Sequence, residues 1–129
     1  MKATKKAIGA CAATAVLLGT MIATAPTTSA DSMQGCSFPR VCFYLKEADY
    51  EASRPTASYK DVTKNYQNLG PRARGSFWVV NTRNDDRVSL RYTVKGSTRF
   101  ACLEPNHKFL FGGSGVVTGV RIETPAACP

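Results

Sequence analysis

The chain is poor in the groups that perform chemistry. It has a single histidine, a single tryptophan, and nine acidic residues against 17 basic ones. The histidine, His107, sits in a Pro-Asn-His-Lys turn, where an exposed loop residue is expected rather than a base or a ligand. No Gly-x-Ser-x-Gly elbow, His-Glu-x-x-His pair or phosphate loop occurs. Glu47, Asp49 and Glu51 cluster, but on a β turn such carboxylates spread into water instead of facing each other across a cleft. An enzyme is not expected, and no cofactor is implied. Helical periodicity is scarce too, since only Asp61 to Leu69 could make a helical turn or two. The positive charge is spread out. Its nearest approach to a cluster (Arg72, Arg74, Arg83, Arg87 and Arg91) reads as a strand face with its loops, not as a nucleic-acid footprint.

What is present begins with a leader. Lys2, Lys5 and Lys6 precede an apolar, uncharged run from Ala7 to Ala25, and Thr28-Ser29-Ala30 offers the small residues a signal peptidase reads. The run is rich in Ala, Thr and Gly, which favours a cleaved signal peptide (residues 1–30) over a retained anchor. A cut after Ala30 leaves a secreted, extracellular domain of residues 31–129, with no membrane span after processing and a net charge of +5. Cys11 leaves with the leader. Export places the other four cysteines where thiols oxidise, so a disulfide framework is expected. Three pairings are possible. Cys36 and Cys42 flank the Pro-containing turn Ser37-Phe38-Pro39-Arg40, which keeps them close and leaves Cys102 for Cys128. The two rings would stabilise a small core by roughly 2.4 and 3.6 kcal/mol in the chain-entropy model. One histidine and oxidised cysteines cannot assemble a zinc site.

The dominant periodicity is two. From Arg87 to Lys95 the chain alternates without a fault, which predicts Val88, Leu90, Tyr92 and Val94 inward and Arg87 and Arg91 in solvent. Val116 to Glu123 repeats the pattern, with Val116, Val120 and Ile122 inward. Val41 to Leu45, Ser76 to Asn81, Thr98 to Leu103 and Lys108 to Phe111 are further strands, rich in β-branched and aromatic residues. Gly70-Pro71, Gly96-Ser97, Glu104-Pro105-Asn106 and Gly112-Gly113-Ser114-Gly115 punctuate them. Short strands at close spacing in one small domain argue for an all-β antiparallel sandwich or barrel.

The opening Cys36-(five residues)-Cys42-Phe43-Tyr44, followed by an acidic turn and Tyr50, resembles the secreted Streptomyces metalloproteinase inhibitor family. Ser76 to Asn81 is similar to the strand that closes the family's first Greek key, and Val116 to Glu123 to its counterpart in the second. The resemblance implies a small antiparallel Greek-key β-sandwich, βγ-crystallin-like, stapled by two disulfides. Calcium-binding crystallin-like domains carry paired Asn/Asp and Ser residues. The segments before Phe77 and Val120 lack those carboxylates, so no structural metal is expected.

The same resemblance implies a monomeric peptidase inhibitor that inserts a rigid, substrate-like loop into the cleft of an extracellular, thermolysin-like peptidase. The corresponding loop is Cys102, Leu103, Glu104 and Pro105. Leu103 would supply the bulky apolar residue after the cut bond, and Pro105 would stiffen the exit. Where the family closes this loop with a second cysteine, the chain has His107, so the tether would run to Cys128. The competing expectations are a cationic antimicrobial or killer-toxin-like effector acting on cell envelopes, and an extracellular structural protein without activity.

Overall fold

A computed structural model describes residues 32–129; the leader and its cut lie outside the described residues. Among the described residues, eight strands and one short helix follow in the order β1 (Val41–Tyr44), α1 (Glu47–Glu51), β2 (Ala57–Tyr59), β3 (Gln67–Asn68), β4 (Trp78–Asn81), β5 (Arg87–Val94), β6 (Ser97–Leu103), β7 (Lys108–Leu110) and β8 (Val116–Glu123). They form two four-stranded sheets, ordered β2-β1-β4-β7 and β3-β8-β5-β6, and every strand pair within them is antiparallel. Each half of the chain thus lends its third strand to the other half's sheet: β7 completes the first sheet and β3 the second.

The core lies between the sheets. Val41, Phe43 and Val79 from the first meet Val88, Leu90, Leu103, Val117, Val120 and Ile122 from the second. A smaller apolar cluster covers the outer face of the first sheet, where Cys36, Cys42, Tyr44 and Val80 pack with Met33, Tyr50 and Trp78. All four residues of β1 are consequently buried, which is why this strand reads as a continuous apolar run instead of an alternation. Burial, and then the neighbouring Tyr50, push the Tyr44 phenol well above the ordinary tyrosine range. Its hydroxyl donates to the Gln34 carbonyl at 2.6 Å.

The helix forms where an acidic turn was expected. Glu47 and Asp49 occupy its first turn, where carboxylates favour the helix dipole, and the Asp49 Oδ2 accepts the Lys46 N–H at 3.1 Å. The Glu47 carboxylate accepts the Trp78 indole N–H at 2.8 Å. Asp61 to Leu69, by contrast, is not helical. The open edge of β8 recruits it: β3 pairs with Val120 and Gly119, Val62 bridges Ile122, and the Thr63 and Leu69 N–H groups reach the Ile122 and Thr118 carbonyls.

The alternation in the second sheet also needs correction. Arg91 lies opposite Gly119, but the next residue, Tyr92, lies opposite Val117, so Thr118 is an extra residue in β8. Such a bulge reverses which side chains face inward. Val117 is buried while Val116 is 42% exposed. Further along β5 the strand runs toward the end of the core, where Tyr92 is half-buried against Phe111 and Val94 is also only half-buried.

Candidate functional site

Three segments remote in sequence converge on one end of the sandwich, and a single buried pair holds them. Asn81 and Thr82, at the end of β4, are wholly buried polar residues. Such groups are costly unless their hydrogen bonds are made. The Asn81 amide donates to the carbonyls of Asp86, Leu103 and Glu104 at 3.0, 3.3 and 3.2 Å, and its Oδ1 accepts the Arg83 N–H at 3.0 Å. Its backbone N–H donates to the His107 carbonyl at 2.9 Å. The Thr82 hydroxyl donates to the Arg40 carbonyl at 2.7 Å, and the Arg83 guanidinium to the Pro39 carbonyl at 2.8 Å. Arg83 is itself neutralised by Asp86 at 2.6 Å.

The first segment is the ring closed by the Cys36–Cys42 disulfide. Within it the Arg40 N–H donates to the Ser37 carbonyl at 3.0 Å, so Ser37 to Arg40 is a turn. Phe38 projects from that turn, 48% exposed. Gly35, just before the ring, is required by geometry. Its φ is +76°, and a Cβ there would lie 2.0 Å from the Ser53 carbonyl oxygen. A recess of about 250 Å³ flanks the ring, and Arg40 is the only charged residue among those lining it.

The second segment is the turn after β6. The Cys102–Cys128 disulfide holds its root, and Glu104 Oε2 accepts the Cys128 N–H at 3.0 Å. Asn106, at φ +62°, donates at 3.1 Å to Asn84 on the third segment, the loop of residues 82–86 between β4 and β5. His107 is exposed, and its Nδ1 lies 2.8 Å from the Pro105 carbonyl oxygen.

The expected inhibitory loop is therefore divided. Glu104 is exposed and Pro105 half-exposed, but the Leu103 side chain is only 4% exposed and packs in the core. Leu103 stands opposite Val88 on the inward side of β6, while Cys102, one residue earlier, faces outward to its disulfide. A side chain committed to the core cannot be offered to a partner's pocket. The role given to Leu103 as the inserted anchor does not fit this placement. Phe38, which the sequence presents as part of a turn, is by contrast a large apolar side chain exposed on this end. The cue available in the sequence was its position inside a seven-residue disulfide ring.

The arginines that looked like a cluster do not form one. Arg72 donates to the Thr56 carbonyl at 2.8 Å, Arg83 sits in the loop end, and Arg87 and Arg91 lie on the outer face of the second sheet. Neither Arg87 nor Arg91 stands free in solvent as expected: each is half-buried and hydrogen-bonded. Among the described residues, no group of three or more His, Cys, Asp or Glu side chains is arranged to hold a metal ion. No helix among them is long and apolar enough to cross a membrane. No protein-family model matches the chain, and neither the curated proteins nor the solved structures contain a match to it.

Proposed function

We propose that the chain is a secreted, crystallin-like peptidase inhibitor that blocks an extracellular, thermolysin-like metallopeptidase with a rigid loop end, Phe38 being the apolar residue it presents. One observation carries the reading. The disulfide ring and the 104–107 turn are both held from the buried Asn81–Thr82 pair, so the exposed surface is ordered before any partner arrives. Preorganisation of this kind removes the loop-ordering cost that weakens flexible binders. The sheet order supports the crystallin-like part of the reading, because the fourth strand of each half, β4 or β8, returns to lie beside the first, β1 or β5, as in a Greek key. Inhibition of this sort needs no reactive group on the inhibitor.

The test is an inhibition panel of a thermolysin-like metallopeptidase, a serine peptidase and a cysteine peptidase. Inhibition of the metallopeptidase is expected, and Phe38→Ala should weaken it by about 30-fold or more, the size of effect seen when an anchor is truncated. Arg74→Gln, on an exposed turn away from this end, should leave the inhibition constant unchanged. Absence of inhibition at micromolar protein would overturn the function, and inhibition indifferent to Phe38 would overturn the site.

A further inference from the structure

The outer face of the second sheet carries a feature that the loop end does not use. Tyr66, just ahead of β3, lies across this face with three neighbours around its ring. The guanidinium of Arg121 is 4.8 Å from its centroid, that of Arg91 is 5.5 Å away, and the Phe100 ring is 5.6 Å away. Register explains the grouping, since Arg91 on β5 stands opposite both Phe100 on β6 and Gly119 on β8. Gly119 makes room for it: a Cβ there would come within 2.7 Å of the Arg91 guanidinium carbon.

Charge on this face is only partly compensated. Arg91 is fixed only by neutral acceptors: the Thr118 hydroxyl at 3.1 Å, the Thr118 carbonyl at 3.1 Å and Asn68 Oδ1 at 2.6 Å. Arg87 and Arg121 share one carboxylate, Glu123, at 3.0 and 2.7 Å. Three guanidiniums thus face a single carboxylate. The Arg121 Nε–H is buried without an acceptor. Beside these groups Phe100 is 62% exposed, a flat apolar ring in the midst of cations.

We propose that this face binds an anionic polysaccharide, with Phe100 stacking on the apolar face of a sugar ring while Arg91 and Arg121 take its carboxylate. Stacking needs a flat, exposed, immobilised ring, which the sheet supplies. Carboxylate recognition needs guanidinium groups held in place, which the Tyr66 ring and the neutral acceptors supply. A purely charged ligand would leave Phe100 without a role, and a neutral glycan would leave the arginines without one. Phe38 makes none of these contacts, so the face stands independently of peptidase inhibition.

Binding of the secreted protein to polygalacturonate is the test, measured by calorimetry beside poly-L-glutamate, which has the carboxylates but no sugar ring, and neutral dextran. Polygalacturonate should bind at least fivefold tighter than polyglutamate, and dextran should not bind. Raising salt from about 50 to about 500 mM should weaken binding at least tenfold, as charge-driven association must. Phe100→Ala and Arg121→Gln should each lower affinity at least fivefold. Gly119→Ala, whose added Cβ would displace the Arg91 guanidinium from its acceptors without meeting backbone, should stay folded by thermal melting and bind at least threefold more weakly. Arg74→Gln should bind like the unmodified chain. Equal affinity for polyglutamate would overturn the glycan assignment. Absence of polygalacturonate binding, or binding indifferent to Phe100 and Arg121, would overturn the face as a site. Phe38→Ala leaves this binding intact, so failure of the inhibitor reading remains distinguishable.

Discussion

Leu103 and Phe38 illustrate how one residue's environment decides its use. Leu103 follows an outward-facing cysteine on a strand, so the pleat turns it inward, where Val88 and the rest of the core receive it. Leu103→Ala should therefore cost about 2–5 kcal/mol in urea unfolding, as removal of buried methyl groups does. Any loss of inhibition should be accounted for by the fraction unfolded. A stable Leu103→Ala protein with inhibition abolished would instead restore the residue as the inserted anchor. Phe38 stands in the opposite situation. The disulfide ring that carries it is held by the Thr82 and Arg83 side chains, which donate to its carbonyls, and by the Cys36–Cys42 bond, not by burial of the Phe38 side chain. That leaves the side chain free to be buried by something else. Asn81 shows the cost side of the same logic, because a fully buried amide is tolerated only where nearby carbonyls satisfy it, and here three do.

At the scale of elements, β8 is the most instructive strand. Read as a simple alternation it places Val116 in the core, but the extra residue Thr118 shifts the phase so that Val117 is inward on one side of the bulge and Val120 and Ile122 on the other. Val117→Ala should destabilise by about 2 kcal/mol, whereas Val116→Ala should stay within about 0.5 kcal/mol. Urea midpoints of the two variants settle the register, and the reverse order would restore the unbroken alternation. The bulge has a second consequence, because the hydroxyl and the carbonyl of its extra residue, Thr118, both accept from the Arg91 guanidinium. The helix α1 depends likewise on its surroundings: five residues would not hold alone, and Tyr50 is packed between Tyr44 and Trp78.

For the whole molecule, Glu123 ties the second sheet together, accepting from Ser89, Arg87 and Arg121 at once. Burial alone would raise its carboxyl, but the hydrogen bonds from Ser89 and Arg87 and the charges of Arg121 and Arg87 outweigh it and hold the group below its ordinary value. A depressed carboxylate stabilises the fold above its unfolded value, near pH 4.3, and that contribution is lost as pH falls through the lower folded value. Glu123→Gln should thus be less stable at neutral pH and show a shallower loss of stability below about pH 4.3. Urea unfolding of both proteins from about pH 3 to about pH 7 checks this, and parallel curves would show that Glu123 is not linked to stability.

Local pattern alone determined the all-β class, six of the eight strands, the turns between them and the Cys36–Cys42 pair, because each rests on residues within a few positions of one another; Cys102–Cys128, 26 residues apart, followed only as the pair that remained. The strand at Val41 and the alternation through Val88 and Leu90 were legible for that reason. Tertiary structure decided the rest. Two short strands, at Ala57 and Gln67, carry too few residues to show a period and exist only because β1 and β8 offer edges to pair with. The exchange of third strands, the phase reversal at Thr118 and the joining of Ser37–Arg40 to Glu104–His107 through Asn81 and Thr82 all depend on segments tens of residues apart. The choice between Leu103 and Phe38 belongs with them, since which face of a strand becomes the core is fixed only when the second sheet arrives to cover it.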